Sequence, residues 1–285
     1  MDSNNKRINE LITTSLEIEQ NEAKAVGAIG YMGRILVQCT LPHSKIAETY
    51  YSRKNGNFQL HLNSLPDIGL PYGSVPRLLL AWLTTEAVRT KKRELVLGDN
   101  LSGFMRELGI VPTGGRWGSI TRLKEQSKRL FNASIYCTYE DEHNDKMQRM
   151  DIAQSTDLWW SHTSEQRSLF PSTVVLAEPF YNEITKSPVP IDVRALRSLS
   201  KSPLALDIYN WLTYRNSYLK SRTNIPWELL QFQFGSNYKD APMFKYKFKQ
   251  ALKKVAVVYP GLNVSESDTG LVLLPSKTSI KKVAV

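Results

Sequence analysis

Between residues 74 and 153 the sequence switches between helical and strand-like patterning in an order that few folds accept. Ser74 is a candidate N-cap, and Pro76 in the first turn removes only a donor that has no partner there. Leu79, Leu80, Leu83, Ala87 and Val88 then form an apolar stripe through Arg89. A short strand-like run at 94–97 precedes a helix that Asp99 or Asn100 caps and that carries Phe104 and Leu108. Gly109 ends it, because glycine takes the left-handed conformation past a helix end without a Cβ clash. The turn Pro112-Thr113-Gly114-Gly115 leads into a long helix over 116–132. Two strand-like segments, 134–139 and 147–153, flank the acidic connection 140–145.

Helix, strand, helix, turn, helix and β-hairpin is the order of a winged helix. The second half repeats that order without repeating the sequence. Residues 174–184 read as strand, Asp192 caps a short helix through Leu199, and Ser202-Pro203 starts a longer one carrying Leu206, Tyr209, Leu212 and Tyr214. A short strand at 223–226, a helix at 227–234 closed by Gly235, a helix at 241–259 and a wing from 262–264 with 270–274 complete it. Ahead of both, Ile8, Leu11, Ile12 and Leu16 recur at helical spacing, and the run 25–30 reads as flexible. Residues 33–65 read as β, with a strand at 34–40 ended by Pro42. Asn55-Gly56 lies between two strand-like runs, a strong hairpin signal because both turn positions take positive φ. The expectation is an α+β chain of tandem winged-helix domains with an N-terminal arm and small β-sheets. The arm covers 1–30, the first domain 31–168 and the second 169–285, with the boundary in 164–172.

Charge narrows the partner. Lys and Arg number 37 against 27 Asp and Glu in 285 residues, a net charge of +10, which points to a polyanion, nucleic acid before an anionic membrane. No apolar run nears the roughly 20 residues of a spanning helix, and the first residues lack the apolar stretch of a secretory signal. Cys39 and Cys137 are too few for a disulfide framework. These features lead us to expect a soluble cytoplasmic protein with no membrane partner.

Two helices carry the candidate contacts. In 116–132, Ile120, Leu123 and Leu130 share a face with Ser127, while Ser119, Arg122, Gln126 and Arg129 are expected on roughly the opposite one. Arg pairs bidentately with guanine and Gln with adenine, and Arg116, Lys124 and Lys128 add charge opposed only by Glu125. An ordinary solvated face would carry the same polar pattern, and the preceding helix and tight turn leave the two readings in balance. In 241–258, Phe244, Phe248, Leu252 and Val255 are spaced to pack inward, flanked by Lys245, Lys247, Lys249, Lys253 and Lys254 with no acidic residue. Like charges at i, i+4 repel by a few tenths of a kcal/mol, and a phosphate backbone turns that repulsion into counterion release. The basic run Arg89, Lys91, Lys92 and Arg93 reads as a solvated loop. The acidic tip 140–145 would be repelled by DNA, so it faces away or meets a protein. Trp211 and Trp227 are expected in the core, and Trp117 beside Arg116 stays open.

Enzymatic readings fail on inventory. Gly98 and Gly103 have the glycine spacing of a phosphate-binding loop, but Phe104 stands where lysine must reach the phosphates. His43, His61, His143 and His162 are scattered, and the nucleophile elbow Gly-x-Ser-x-Gly is absent. No catalytic residue, metal or cofactor is expected.

The stretch Gly69-Leu70-Pro71-Tyr72-Gly73-Ser74-Val75-Pro76-Arg77, continuing to Thr90, resembles the plasmid-encoded RepA replication initiator family. So do Arg93-Glu94-Leu95-Val96-Leu97-Gly98, Thr113-Gly114-Gly115-Arg116-Trp117-Gly118, Arg122-Leu123 and Arg129-Leu130-Phe131, and more loosely residues 205–215. The resemblance implies a bacterial plasmid protein that binds double-stranded origin DNA at repeated sites, opens an AT-rich region and starts replication with a host helicase or initiator. Initiators of related architecture often also dimerise to repress their own gene. Two other readings remain open from sequence: a winged-helix transcriptional regulator that binds an operator without initiating replication, and an adaptor whose basic helix binds acidic proteins.

Overall fold

A computed structural model describes residues 3–98, 100–143, 145–158, 172–235, 238 and 240–280. The chain is mixed α+β, with helices packed around small antiparallel sheets. It begins with α1 (Ser3–Gln20), β1 (Ile29–Met32) and α2 (Arg34–Gln38). The run 25–30, expected as flexible, leads straight into β1, which pairs antiparallel with β9 (Val189–Asp192). Residues 34–40, expected as a strand, form the helix α2 instead. Its Ile35, Leu36 and Val37 are all buried, and so short an apolar run has no period that separates a buried strand from a buried helix.

The hairpin exists as β2 (Tyr50–Asn55) and β3 (Phe58–Asn63), but its turn falls one residue later than expected. Asn55 pairs with Phe58, so Gly56 and Asn57 are the central residues. Only Gly56 has positive φ, 59°, the pattern of a turn with glycine in its first central position.

The first unit follows as α3 (Ser74–Thr90), β4 (Glu94–Val96), α4 (Leu101–Glu107), α5 (Ser119–Phe131), β5 (Ser134–Glu140), β6 (Asp145–Asp151), β7 (Ala153–Asp157) and β8 (Thr173–Leu176). Gly73, not Ser74, takes the N-cap position of α3. Asn100 caps α4 by accepting from the Gly103 N–H, and Gly109 closes it at φ 71°; Asp99 lies outside the described residues. One sheet runs β2-β3-β5-β6, and a second runs β4-β8-β7. β8, expected to open the second unit, therefore completes the sheet of the first. All of the expected boundary except Ser172 lies outside the described residues, as do Trp159 and Trp160.

The second unit holds α6 (Glu178–Lys186), β9, α7 (Val193–Ser198), α8 (Pro203–Asn216), β10 (Thr223–Pro226), α9 (Trp227–Phe234), α10 (Ala241–Val258), β11 (Val264–Glu266) and β12 (Gly270–Leu273). Residues 178–184, expected to prolong a strand, form α6 because Pro179 opens a helix in its first turn. Asp192, Ser202 and Asp240 cap α7, α8 and α10 through their side-chain oxygens. The sheet order is β10-β12-β11. One continuous apolar core crosses both units, from Met32 and Leu79 to Phe248 and Leu273. In it Trp211, Phe234, Phe248 and Phe244 stack in tilted and edge-to-face pairs.

Candidate nucleic-acid interface

The loop between α4 and α5 is fixed by its own hydrogen bonds. The Thr113 N–H donates to Ser119 Oγ, the Ser119 N–H to Thr113 Oγ1, and Ser119 Oγ to the Val111 carbonyl. Thr121 Oγ1 donates to the Gly115 carbonyl. Gly118 sits where a Cβ would collide with the carbonyls of Thr113 and Gly114, so glycine is obligatory. Ser119 is therefore a helix-start clasp, half-buried, rather than a free donor. Arg116 is exposed, with its guanidinium carbon 5.2 Å from the centre of the Trp117 ring, and Trp117 itself is 85% exposed.

Along α5 the outward face differs from the expected one. Gln126 is 1% exposed, and its side-chain oxygen accepts the Tyr72 N–H. Arg129 is mostly covered: it pairs with Glu125, donates to the Leu70 carbonyl and lies over the Tyr72 ring. The segment ahead of α3 thus covers one flank of α5, the flank that carries Gln126 and Arg129. Gly69 takes φ 75° there, and a side chain on it would run into the Arg129 guanidinium. Thr121, Arg122, Glu125 and Lys128 are what α5 offers to solvent. Arg116, Arg122 and Lys128 make no ion pair among the described residues.

On α10 the apolar stripe points inward as its spacing requires, with Phe244, Phe248, Leu252 and Val255 buried. Lys247 and Lys253 are exposed and have no acidic partner among the described residues. The other lysines are engaged. Lys245 and Lys249 lie over the Trp227 indole at 5.1 and 5.7 Å, Lys245 donates to the Asp268 carbonyl, and Lys249 pairs with Glu266 at 2.5 Å. The helix lacks acidic residues, yet β11 supplies one. Lys254 is half-buried, and burial first, then the charges of Arg7 and Lys247, lowers its pKa. Arg7 is brought there by α1, which packs on α10 and α7.

One cluster escaped sequence reasoning. Arg77, 2% exposed, donates from Nε and Nη2 to the Asp207 carboxylate at 2.7 Å each, and its remaining donors reach the carbonyls of Leu41, Pro42 and Gly73. His43 Nε2 joins the same carboxylate at 2.8 Å. Burial would raise the Asp207 pKa, but Arg77 and the two hydrogen-bonding partners hold it below the usual carboxylate value. Burial lowers that of His43. The available signal was a charge embedded in apolar helix sequence: Arg77 before Leu78-Leu79-Leu80, and Asp207 between Leu206 and Ile208. The cluster joins α3 to α8, so its role is to clamp the units.

Nothing among the described residues gathers three His, Cys, Asp or Glu side chains as a metal would need. Cys39 and Cys137 are free and buried, and burial raises both thiols to about 12. A cleft of about 790 Å³ between α1, α3 and α7 is lined by Arg89, Arg194 and Arg197, but Arg89 pairs with Glu86, Arg194 binds Asp192 and the Glu17 and Asn21 carbonyls, and Arg197 donates to the Glu107 carbonyl. No described helix is long and apolar enough to cross a membrane.

A family model described as plasmid-encoded RepA protein matches residues 70–230. That match spans α3, the Gly-rich loop, α5 and the first half of α9. The chain also superposes on a crystal structure of selenomethionine derivatives of domains 2 and 3 of RctB, with TM-score 0.55 and 11% identity, over 85% of this chain and 96% of that one. A second RctB domain 2–3 structure gives TM-score 0.50 and 13% identity, over 84% of this chain and 94% of that one. At such identities the likeness is one of fold. No curated protein matches the chain.

Proposed function

Because the chain belongs to the family of plasmid-encoded RepA proteins, we propose that it is a plasmid replication initiator that grips double-stranded origin DNA with two winged-helix units and catalyses no reaction itself. The element order of the second unit supports the reading: α8, β10, α9, α10, β11, β12 follow in sequence, with β12 between β10 and β11. The first has the same helices, and β8 is inserted between β4 and the bent strand β6–β7. In this reading α5 and α10 enter major grooves. Arg122 reaches base edges, and Arg116, Lys128, Lys247 and Lys253 neutralise phosphates. Lys245, held over Trp227, adds a further positive charge on α10, while Glu266 answers that of Lys249.

The observation that carries the reading is that both helices turn outward cations with no acidic partner among the described residues, while burying their apolar faces in the common core. Copies bound at repeated sites would open an AT-rich segment and recruit a host helicase or initiator in the cytoplasm. The direct test places the gene and its flanking DNA on a circle that cannot otherwise replicate in a bacterial host. Maintenance of the circle is expected. Loss of the circle, with a promoter beside the bound site still repressed, would make the protein an operator-binding regulator instead.

A further inference from the structure

We propose that the rigid loop ahead of α5 is a base-reading contact of its own, in which the stacked Arg116–Trp117 pair meets the duplex and the Trp117 indole packs on thymine methyl groups. The inference rests on the initiator reading above and adds to it a residue and a chemistry. Trp117 is 85% exposed and Val111, in the same loop, 77%. Large apolar side chains so far out of a folded surface are held there at the expense of burial. The loop is not loose, since the Thr113–Ser119 hydrogen bonds, the Thr121–Gly115 bond and the obligatory Gly118 fix its path. An aromatic projecting from a fixed loop is a preorganised contact.

Gly114 adds a second observation. Its φ is not left-handed and open space surrounds the place a Cβ would take. The fold therefore has no need of glycine there, whereas Gly115 needs it for φ 85°. A bare backbone at Gly114 lets an outside surface come close. Charge names that surface: Arg116 in the loop and Arg122 in the first turn of α5 make no ion pair among the described residues, and Glu125, further along the helix, is taken by Arg129. In helix-turn-helix docking the residues at the start of the recognition helix meet base edges, and apolar side chains meet the thymine methyl. An indole carrying a guanidinium on its face suits a T-containing site, with Arg116 turned to phosphate or guanine.

The experiment uses the full chain and duplexes enriched by the wild-type protein from a random-sequence library, made with thymine or with deoxyuridine in its place. Trp117→Ala should bind the enriched thymine duplex about tenfold more weakly than wild type, while random duplex changes far less. Trp117→Phe should keep most of the affinity. Deoxyuridine should weaken the wild type and leave Trp117→Ala unchanged. Thermal unfolding will match among the three proteins, because the indole stands outside the core. Equal binding by Trp117→Ala, or a uracil penalty that persists in it, overturns the thymine contact alone. A wild-type protein that enriches no duplex overturns the initiator reading and this contact with it.

Discussion

Arg77 is charged inside the protein because its guanidinium N–H groups all find acceptors: two oxygens of Asp207 and three backbone carbonyls. A buried ion pair so fully satisfied adds little over an apolar pair of the same shape, but half of one is costly. Arg77→Met, which strands Asp207, should cost about 3–5 kcal/mol in urea unfolding. Arg77→Met with Asp207→Leu should recover much of that loss. The pair also sets the pH dependence. His43 is held neutral by burial, so as pH falls the unfolded chain takes up a proton near the ordinary histidine value of 6.5 before the folded one does. Asp207 is depressed below the ordinary carboxylate value of 3.8, so its contribution is present above that value and is lost as pH falls from there through its lower folded value. Both shifts make the unfolded state the better proton acceptor on the acid side, so stability should fall as pH drops. Melting temperature should decline between about pH 7 and pH 5, and His43→Gln should flatten that decline. A melting temperature that rises toward pH 5 would contradict this account.

Elements with a clear period and a capping residue were legible in the sequence. α8 begins where Ser202 places it, α10 begins at Ala241 as its spacing indicates, and Gly109 ends its helix with the left-handed backbone that only glycine takes easily. Short elements were not. The five residues of α2 are apolar enough to be buried in either state, and the turn of the β2–β3 hairpin moved by one residue because Gly56 can open it alone. The helix face of α5 was misplaced for a different reason. Periodicity locates the side that meets the core but says nothing of the segment 69–72, which covers a second flank. From this comes a paired prediction. Gln126→Ala should cost about 1–3 kcal/mol of stability by leaving the Tyr72 N–H unpaired, and should leave base preference intact. Arg122→Ala should do the reverse, relaxing preference at particular bases in a selection from random duplexes. Gln126→Ala altering base preference would return that residue to the interface.

At the scale of the molecule the two units are not beads on a string. β1 and β9 pair across the chain, Arg77 reaches Asp207, Thr40 Oγ1 donates to the Gln233 carbonyl, and Gln233 donates to the Gln38 carbonyl. The relative placement of α5 and α10 is therefore built into a shared core rather than left to a linker. This second-half contribution was invisible to sequence arithmetic, which treated the halves as independent repeats. The exposed cations are the other whole-molecule feature. Each phosphate they neutralise should add about −0.9 to the slope of log affinity against log salt. The measurement that tests the account most directly is that slope, taken by gel shift on an enriched duplex for the wild type and for Lys247→Gln/Lys253→Gln. A steep wild-type slope that becomes shallower by roughly 2 in the double variant is predicted. Lys249→Gln should change it less, because Glu266 already answers that charge. A wild-type slope near zero, or one that Lys247→Gln/Lys253→Gln leaves untouched, would contradict the claim that these helices lie against DNA.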